Sequence, residues 1–309
     1  VPPSINYSYP IYTMAEVITS QRIHHEQAIR GIVTIPTTHG YRIITGGDDW
    51  TLYTCSPDLQ HTLSYVNTSG PVTSLAALPD GSILGTDTEV GPFMYERLFF
   101  PDHEEYFLEE EDDAPHKSLC VLSDTLYAAI HPHSGISVID AGEPEEIAFT
   151  IAEDALFISS QKGGRFVALN RLGQLVEWDA LTLQSVRGLE GHMRLQNVCH
   201  MVALKNRRVA IVNEAHSSTV QVLTLPYNGE VPYRTFDCED TITCLYAANS
   251  YILVGTIQGK VVIYHLPSQT LTQLICHDSP VTALCSLPHH RFASGDLSGK
   301  LCISALVDN

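Results

Sequence analysis

An all-β fold built by radial repetition is predicted by three observations. The same short unit, a β-run, a tight turn and a second β-run, recurs seven times at a spacing of about 40 residues, the length that a blade of four short strands needs. Apolar residues alternate with period two in stretches such as Gln221-Val222-Leu223-Thr224-Leu225, and no segment reads as a long amphipathic helix. One hairpin is shared at the same offset by two distant copies, as Leu78-Pro79-Asp80-Gly81 and as Leu287-Pro288-His289-His290. The 309 residues then divide into one domain over residues 1–309, a propeller of seven blades.

The copies begin at Ile29, Val72, Leu119, Leu156, Val198, Ile242 and Val281. The first reads Ile29 to Ile35, then Tyr41 to Gly47, a turn at Asp48-Asp49-Trp50, and Thr51 to Thr54. The seventh reads Val281 to Leu284, Arg291 to Gly295, a turn at Asp296 to Gly299, and Lys300 to Ile303, and it stops without a fourth strand. Ahead of the first copy stands one orphan β-like stretch, Ala15 to Thr19. An unpaired edge is a liability, so this N-terminal stretch is expected to supply the missing outer strand of the seventh blade and close the ring.

These repeats resemble the WD-repeat family, whose pattern is a Gly-His pair, an apolar strand, Ser-Gly before an Asp-containing turn, and a closing Trp-Asp. Trp178-Asp179 keeps both closing letters, and Tyr95-Glu96, Ile139-Asp140 and Tyr264-His265 occupy that slot elsewhere. Gly191-His192 is the literal Gly-His, while His25 and His277 sit four residues before a first strand without the Gly. The resemblance implies a side-chain hydrogen-bond network through His25, Thr45 and Asp49, with His277 and Ser294 as its counterparts in the last copy. Cys55 stands where the family has Trp. Trp178 and Tyr264 end third strands and are expected to fill the wedge between neighbouring blades.

The net charge is −18. Acids dominate residues 1–154, whereas residues 155–208 are net basic, carrying Lys162, Arg165, Arg171, Arg187, Arg194, Lys205, Arg207 and Arg208. A surface this acidic repels phosphates, which disfavours nucleic acid as a partner. The densest acidic run, Asp102 to Asp113, falls between the second and third copies and embeds Tyr106-Phe107-Leu108; it reads as an exposed insertion at about residues 101–116. It lacks the alternating ligands and central Gly of a calcium loop. The eight cysteines are scattered singly, and Cys120, Cys199, Cys244, Cys285 and Cys302 fall inside expected strands. That placement suits small buried hydrophobes and an intracellular, cytoplasmic location better than a disulfide frame. No run of about 18 apolar residues predicts a membrane span.

Chemistry is hard to find in the chain. The close histidine groups, His24-His25, His131-Pro132-His133 and His289-His290, lack zinc-ligand spacing. No nucleophile elbow, phosphate-cradling loop or dinucleotide fingerprint occurs, so no metal, cofactor or obligatory small molecule is expected. The resemblance implies a non-catalytic scaffold or adaptor that presents loops to protein partners within a larger complex. Arg30, Tyr65, Lys117, Arg194 and Tyr246 are the candidate contacts, because Arg and Tyr offer large, hydrogen-bonding area at modest entropic cost. Two alternatives stand beside it. One is a reader of lipid or another polyanion through the basic stretch 162–208, where Arg207-Arg208 resembles the paired arginines of phosphoinositide-binding propellers. The other is a hydrolase with a site at the channel mouth, for which Asp48, Asp87, His131, His216 and Asp296 follow second strands, in turns expected on the face away from that mouth.

Overall fold

The computed structural model describes residues 20–37, 40–88, 92–95, 105–107, 119–131, 135–140, 147–151, 154–161, 164–182, 184–186, 194–225 and 232–305. Every regular element in them is a strand. The first, β1 (Ser20–Ile23), is followed by β2 (Ile29–Thr37), β3 (Gly40–Gly47), β4 (Thr51–Cys55) and β5 (Thr62–Asn67). Next come β6 (Val72–Ala77), β7 (Ile83–Asp87), β8 (Pro92–Tyr95) and β9 (Glu105–Phe107), then β10 (Leu119–Val121), β11 (Leu126–His131), β12 (Gly135–Asp140) and β13 (Ile147–Ile151). The fourth group is β14 (Ala155–Gln161), β15 (Arg165–Asn170), β16 (Leu175–Asp179) and β17 (Gln184–Ser185). The fifth is β18 (Val198–Leu204), β19 (Arg208–Asn213), β20 (His216–Thr224) and β21 (Arg234–Asp237), and the sixth β22 (Ile242–Ala248), β23 (Tyr251–Thr256), β24 (Lys260–His265) and β25 (Thr270–Ile275). The chain closes with β26 (Val281–Leu287), β27 (Arg291–Asp296) and β28 (Lys300–Ala305).

These strands form seven four-stranded antiparallel sheets, six of them in simple chain order. The seventh is ordered β1-β28-β27-β26, with Ser20 opposite Ile303 and Ile23 opposite Lys300. The described strand that completes it is Ser20–Ile23; the expected Ala15 to Thr19 lies outside the described residues. The expected first-strand starts coincide with the observed ones except in the fourth copy, where the strand begins one residue earlier, at Ala155.

First strands lie side by side: β2 touches β6, β6 touches β10, and so on through β14, β18 and β22 to β26, which touches β2. A cavity of about 440 Å³ is lined by residues from all seven, among them Val33, Ala76, Cys120, Ser159, Val202, Tyr246 and Cys285. Together these contacts arrange the sheets as the blades of a propeller.

Burial follows from that arrangement. Second strands are covered on both faces by neighbouring sheets, so β7 and β23 are buried at every position, while the outer strand β5 alternates half-buried and exposed. Each apolar cluster consequently spans two blades. One joins Ile29, Ile43 and Leu59 of the first sheet to Cys285, Ala293 and Leu301 of the seventh. Across this seam the Thr282 hydroxyl donates to the Ile29 carbonyl, and Arg291 donates to the Tyr41 hydroxyl at 2.7 Å.

The aromatic wedges sit between sheets. Trp178 stacks on Phe166 at 6.5 Å and packs on a cluster containing Ile130, Ile136 and Val138 of the preceding blade. Tyr264 is buried and stacks on Phe236 of the preceding blade at 4.1 Å. The thiols of Cys120, Cys244, Cys285 and Cys302 are pushed up to about 12 by burial, so they remain protonated and act as small core residues. None of the eight cysteines is in a disulfide.

Candidate interaction surface

Antiparallel alternation divides the loops between two ends of the sheets. The segments leading into first strands share one end, here the upper, with the turns that join second to third strands. The turns joining first to second and third to fourth strands lie at the lower end. Asp48 therefore lies at the same end as Arg30, which donates to it at 2.9 and 2.7 Å, and not on the opposite face as the sequence reading had it.

The upper end is built on two buried histidines. His25 places Nδ1 2.7 Å from Asp49 Oδ1 and Nε2 2.8 Å from Thr45 Oγ1. His277 places Nδ1 2.9 Å from Asp296 Oδ2 and Nε2 2.7 Å from Ser294 Oγ. Burial lowers the pKa of both rings, and the carboxylates oppose it without winning. A neutral ring satisfies both contacts as an Nδ1–H donor to carboxylate and an Nε2 acceptor from hydroxyl. Each histidine also holds the incoming segment by its backbone: His25 N–H donates to Gly299 O and His277 N–H to Gly259 O, both at 3.2 Å. Gly299 and Gly259 have φ near +80°, and a Cβ there would stand 2.1 to 2.2 Å from the His25 and His277 carbonyl oxygens. Only glycine fits that crossing.

On this frame the turns expose apolar side chains. Trp50 is 50% exposed at φ 60°, Ile257 50% and Leu297 47%, in the first, sixth and seventh blades, which are neighbours. Leu172 projects from the same turn of the fourth blade. Acids lie among them: Asp48, Asp278, Glu26 and Glu239.

The candidate contacts scatter. Arg30 reaches the upper end and pairs with Asp48. Arg194 is exposed in the segment before β18. Tyr65 is 66% exposed, but on the outer strand β5, at the circumference and not on a loop. Tyr246 is a correction: it sits in the middle of β22, lines the central cavity and places its hydroxyl 3.3 Å from Ser286 Oγ, because a first strand faces the channel. Lys117 lies outside the described residues. So do Asp102 to Glu104 and Leu108 to Asp113 of the acidic run; Glu105–Phe107 form the outer strand of the second blade.

The basic stretch divides as well. Arg171 goes to the upper end and pairs with Asp154 at 2.7 Å. Arg165, Lys205 and Arg207 line a crevice at the lower end between the fourth and fifth blades, while Arg208, also at the lower end, lies over the Tyr233 ring. Lys162 and Arg187 lie outside the described residues. At the centre of the lower group is Glu177, fully buried, with Oε1 3.5 Å from Arg165 and Oε2 2.9 Å from Arg207. The sequence reading missed Glu177 as a site residue. Its signal was the alternation Leu175-Val176-Glu177, which puts an acid on the inward face beside Leu175.

Of the residues weighed for hydrolysis, Asp48, Asp87, His216 and Asp296 do not line the central cavity, nor does the described backbone of His131. Among the described residues no group of three or more His, Cys, Asp or Glu could hold a metal ion.

A family model described as "WD domain, G-beta repeat" matches residues 268–303, which run from the outer strand of the sixth blade through the three chain-ordered strands of the seventh. This match, together with the propeller arrangement of the sheets, supports a WD-repeat β-propeller. The matched stretch contains the His277, Ser294 and Asp296 network, the most regular copy of the motif. No curated protein matches the chain. WD-repeat propellers generally serve as protein-interaction scaffolds and are typically non-enzymatic. Among the described residues no helix is long and apolar enough to cross a membrane.

Proposed function

We propose that this WD-repeat propeller is a non-catalytic scaffold: a ring of seven blades, closed by β1, whose upper end receives protein partners within a larger complex. The observation that carries this reading is the arc of exposed Trp50, Leu297 and Ile257 on three adjacent turns that buried networks hold still. A rigid base keeps the entropic cost of binding low, and an exposed Trp among polar neighbours is the usual anchor of an interface. The acids beside these anchors favour a partner segment with basic residues.

The test is a photo-crosslinking amino acid placed at position 50 and, as a control in an exposed lower turn of the same blade, at position 60. A protein adduct specific to position 50, weakened about tenfold or more when Ile257 and Leu297 become alanine, supports the reading. Equal adducts at both positions, or none at 50, sink it.

The polyanion alternative retains one observation, the convergence of Arg165, Lys205 and Arg207 at the lower end. For the hydrolase alternative the described residues offer no converging set at the channel.

A further inference from the structure

The lower crevice between the fourth and fifth blades, about 470 Å³, is lined by Gln161, Arg165, Glu177, Leu204, Lys205, Asn206 and Arg207. Its floor is the fully buried Glu177 carboxylate, bridging two guanidinium groups whose side chains keep 40% and 43% of their surface exposed. Lys205 reaches Asn249 of the sixth blade at 3.2 Å. At the margin, Gln161 donates to the Arg208 carbonyl at 3.5 Å, whereas the Arg208 and Arg234 side chains turn to the other face of the fifth blade, on the Tyr233 ring, 4.6 and 4.7 Å from its centre. The acid on the rim is Asp179, which turns its Oδ1 to the N–H groups of Leu181 and Thr182 at 3.0 and 2.9 Å and is thereby held ionised.

Three cations, Arg165, Lys205 and Arg207, therefore surround the buried Glu177 carboxylate, with Asp179 at the rim, in a chain whose net charge is −18. A carboxylate taken fully out of water requires partners, and Glu177 fixes the planes of both guanidinium groups. One acid cannot neutralise two arginines and a lysine, so the crevice keeps a net positive charge and aims preset donors outward.

We propose that this crevice is a second docking site, and that its occupant is an acidic peptide segment of a partner protein, glutamate or aspartate side chains entering between Arg165, Arg207 and Lys205, with an apolar side chain resting on Leu181. Leu181, on a lower turn of the fourth blade, is 78% exposed. A peptide fits better than an anionic membrane or a nucleic acid for two reasons. The guanidinium groups are recessed against a buried floor, where a side chain enters and an extended surface does not. A large anionic surface also meets the whole acidic molecule, whereas a short peptide feels mainly the charges within a Debye length, about 8 Å. The site stands independently of the upper-end reading, since the two lie at opposite ends of the sheets.

The test is fluorescence polarisation with a short labelled peptide of glutamates around one leucine, against the same peptide with glutamines. The full chain is expected to bind only the glutamate peptide, and more weakly as salt rises. A Lys205→Glu variant, which leaves both arginine partners of Glu177 in place, should lose about tenfold or more in affinity with an unchanged melting temperature. Glu177→Gln removes the neutralising charge and should tighten binding; unchanged or weaker binding by folded E177Q overturns the part given to Glu177. Binding by the charge-reversed variant equal to that of the natural chain overturns the site, and so does equal binding of both peptides. Capture of the protein by anionic phospholipid vesicles, with no binding of the glutamate peptide, assigns the crevice to lipid and overturns the proposal.

Discussion

The first and seventh blades meet at the seam and solve one problem differently. In both, a histidine four residues ahead of the first strand is clamped between a second-strand hydroxyl and a carboxylate. Yet Asp49 lies in the turn, two residues beyond Gly47, whereas Asp296 is the last residue of β27. Asp49 spends its second oxygen on the Glu26 N–H at 3.0 Å and keeps 8% of its side chain exposed. Asp296 is fully buried, and its Oδ1 accepts from Ser298 N–H at 2.9 Å, Ser298 Oγ at 2.8 Å and Lys300 N–H at 2.9 Å. The carboxylate of the seventh blade organises a whole turn as well as a histidine. What is kept between the copies is the histidine's environment, not the position in sequence that supplies it. In the sixth copy the same offset holds Cys238, and Asp240 takes over by accepting from the Thr241 and Gln258 N–H groups.

The largest effect expected across this seam is from removing residues 1–23. Without β1 the seventh sheet exposes the edge of β28 while the first sheet loses no strand, and the chain should lose its cooperative thermal transition. A two-state melt close to that of the full chain would show that β1 does not seal the structure. Next, Asp296→Ala strips a buried histidine and two turn N–H groups of their acceptor and should cost about 3–5 kcal/mol by chemical denaturation. Asp49→Ala, at the wetter site, should cost about 1–3 kcal/mol. Equal losses at the two positions would break the distinction between the blades. Trp178→Ala calibrates this scale away from the seam: a cavity between the third and fourth blades should cost about 3 kcal/mol, while Trp178→Phe should cost far less, because the buried indole Nε1 has no hydrogen-bond partner among the described residues. A melting temperature unchanged in the alanine variant would tell against the wedge.

The smallest effect is that of pH. Burial lowers the pKa of His25, His277 and His200 in the folded chain below the ordinary imidazole value of about 6.5. The unfolded chain then binds more protons as pH falls, so their contribution is complete above about pH 6.5 and is lost progressively below it. Unfolding titrations at pH 7.5 and pH 5 should show the decline, and His277→Gln should flatten part of it. A stability that rises on acidification would contradict the neutral tautomer assigned to both rings.

Much of the architecture was legible because it rests on local periodicity. Strand starts at Ile29, Val72, Leu119, Val198, Ile242 and Val281 follow from apolar alternation bounded by turn residues, whereas Ser20-Gln21-Arg22-Ile23, which pairs with β28, carries no such alternation and gave no signal. Partner surfaces were less legible. Tyr246 has the composition of a contact residue, but a first strand turns it into the channel; Trp50 has the composition of a core residue, but its turn pushes it into solvent. The basic stretch looked continuous in sequence, and strand alternation sends Arg171 to one end of the sheet and Arg165 and Arg207 to the other.

By itself the sequence determined the β class, the repeat, and the His25 and His277 offsets, since each depends on spacing within one copy. Only the tertiary structure decided what faces what: that Asp296 can serve from a different position than Asp49, that Glu177 draws in an arginine from the next blade, and that three turns distant in the chain align Trp50, Ile257 and Leu297. The physical reason is that blades are joined by contacts between copies, and which side chains meet across a blade boundary is fixed by the angle between sheets, a quantity no spacing along the chain encodes.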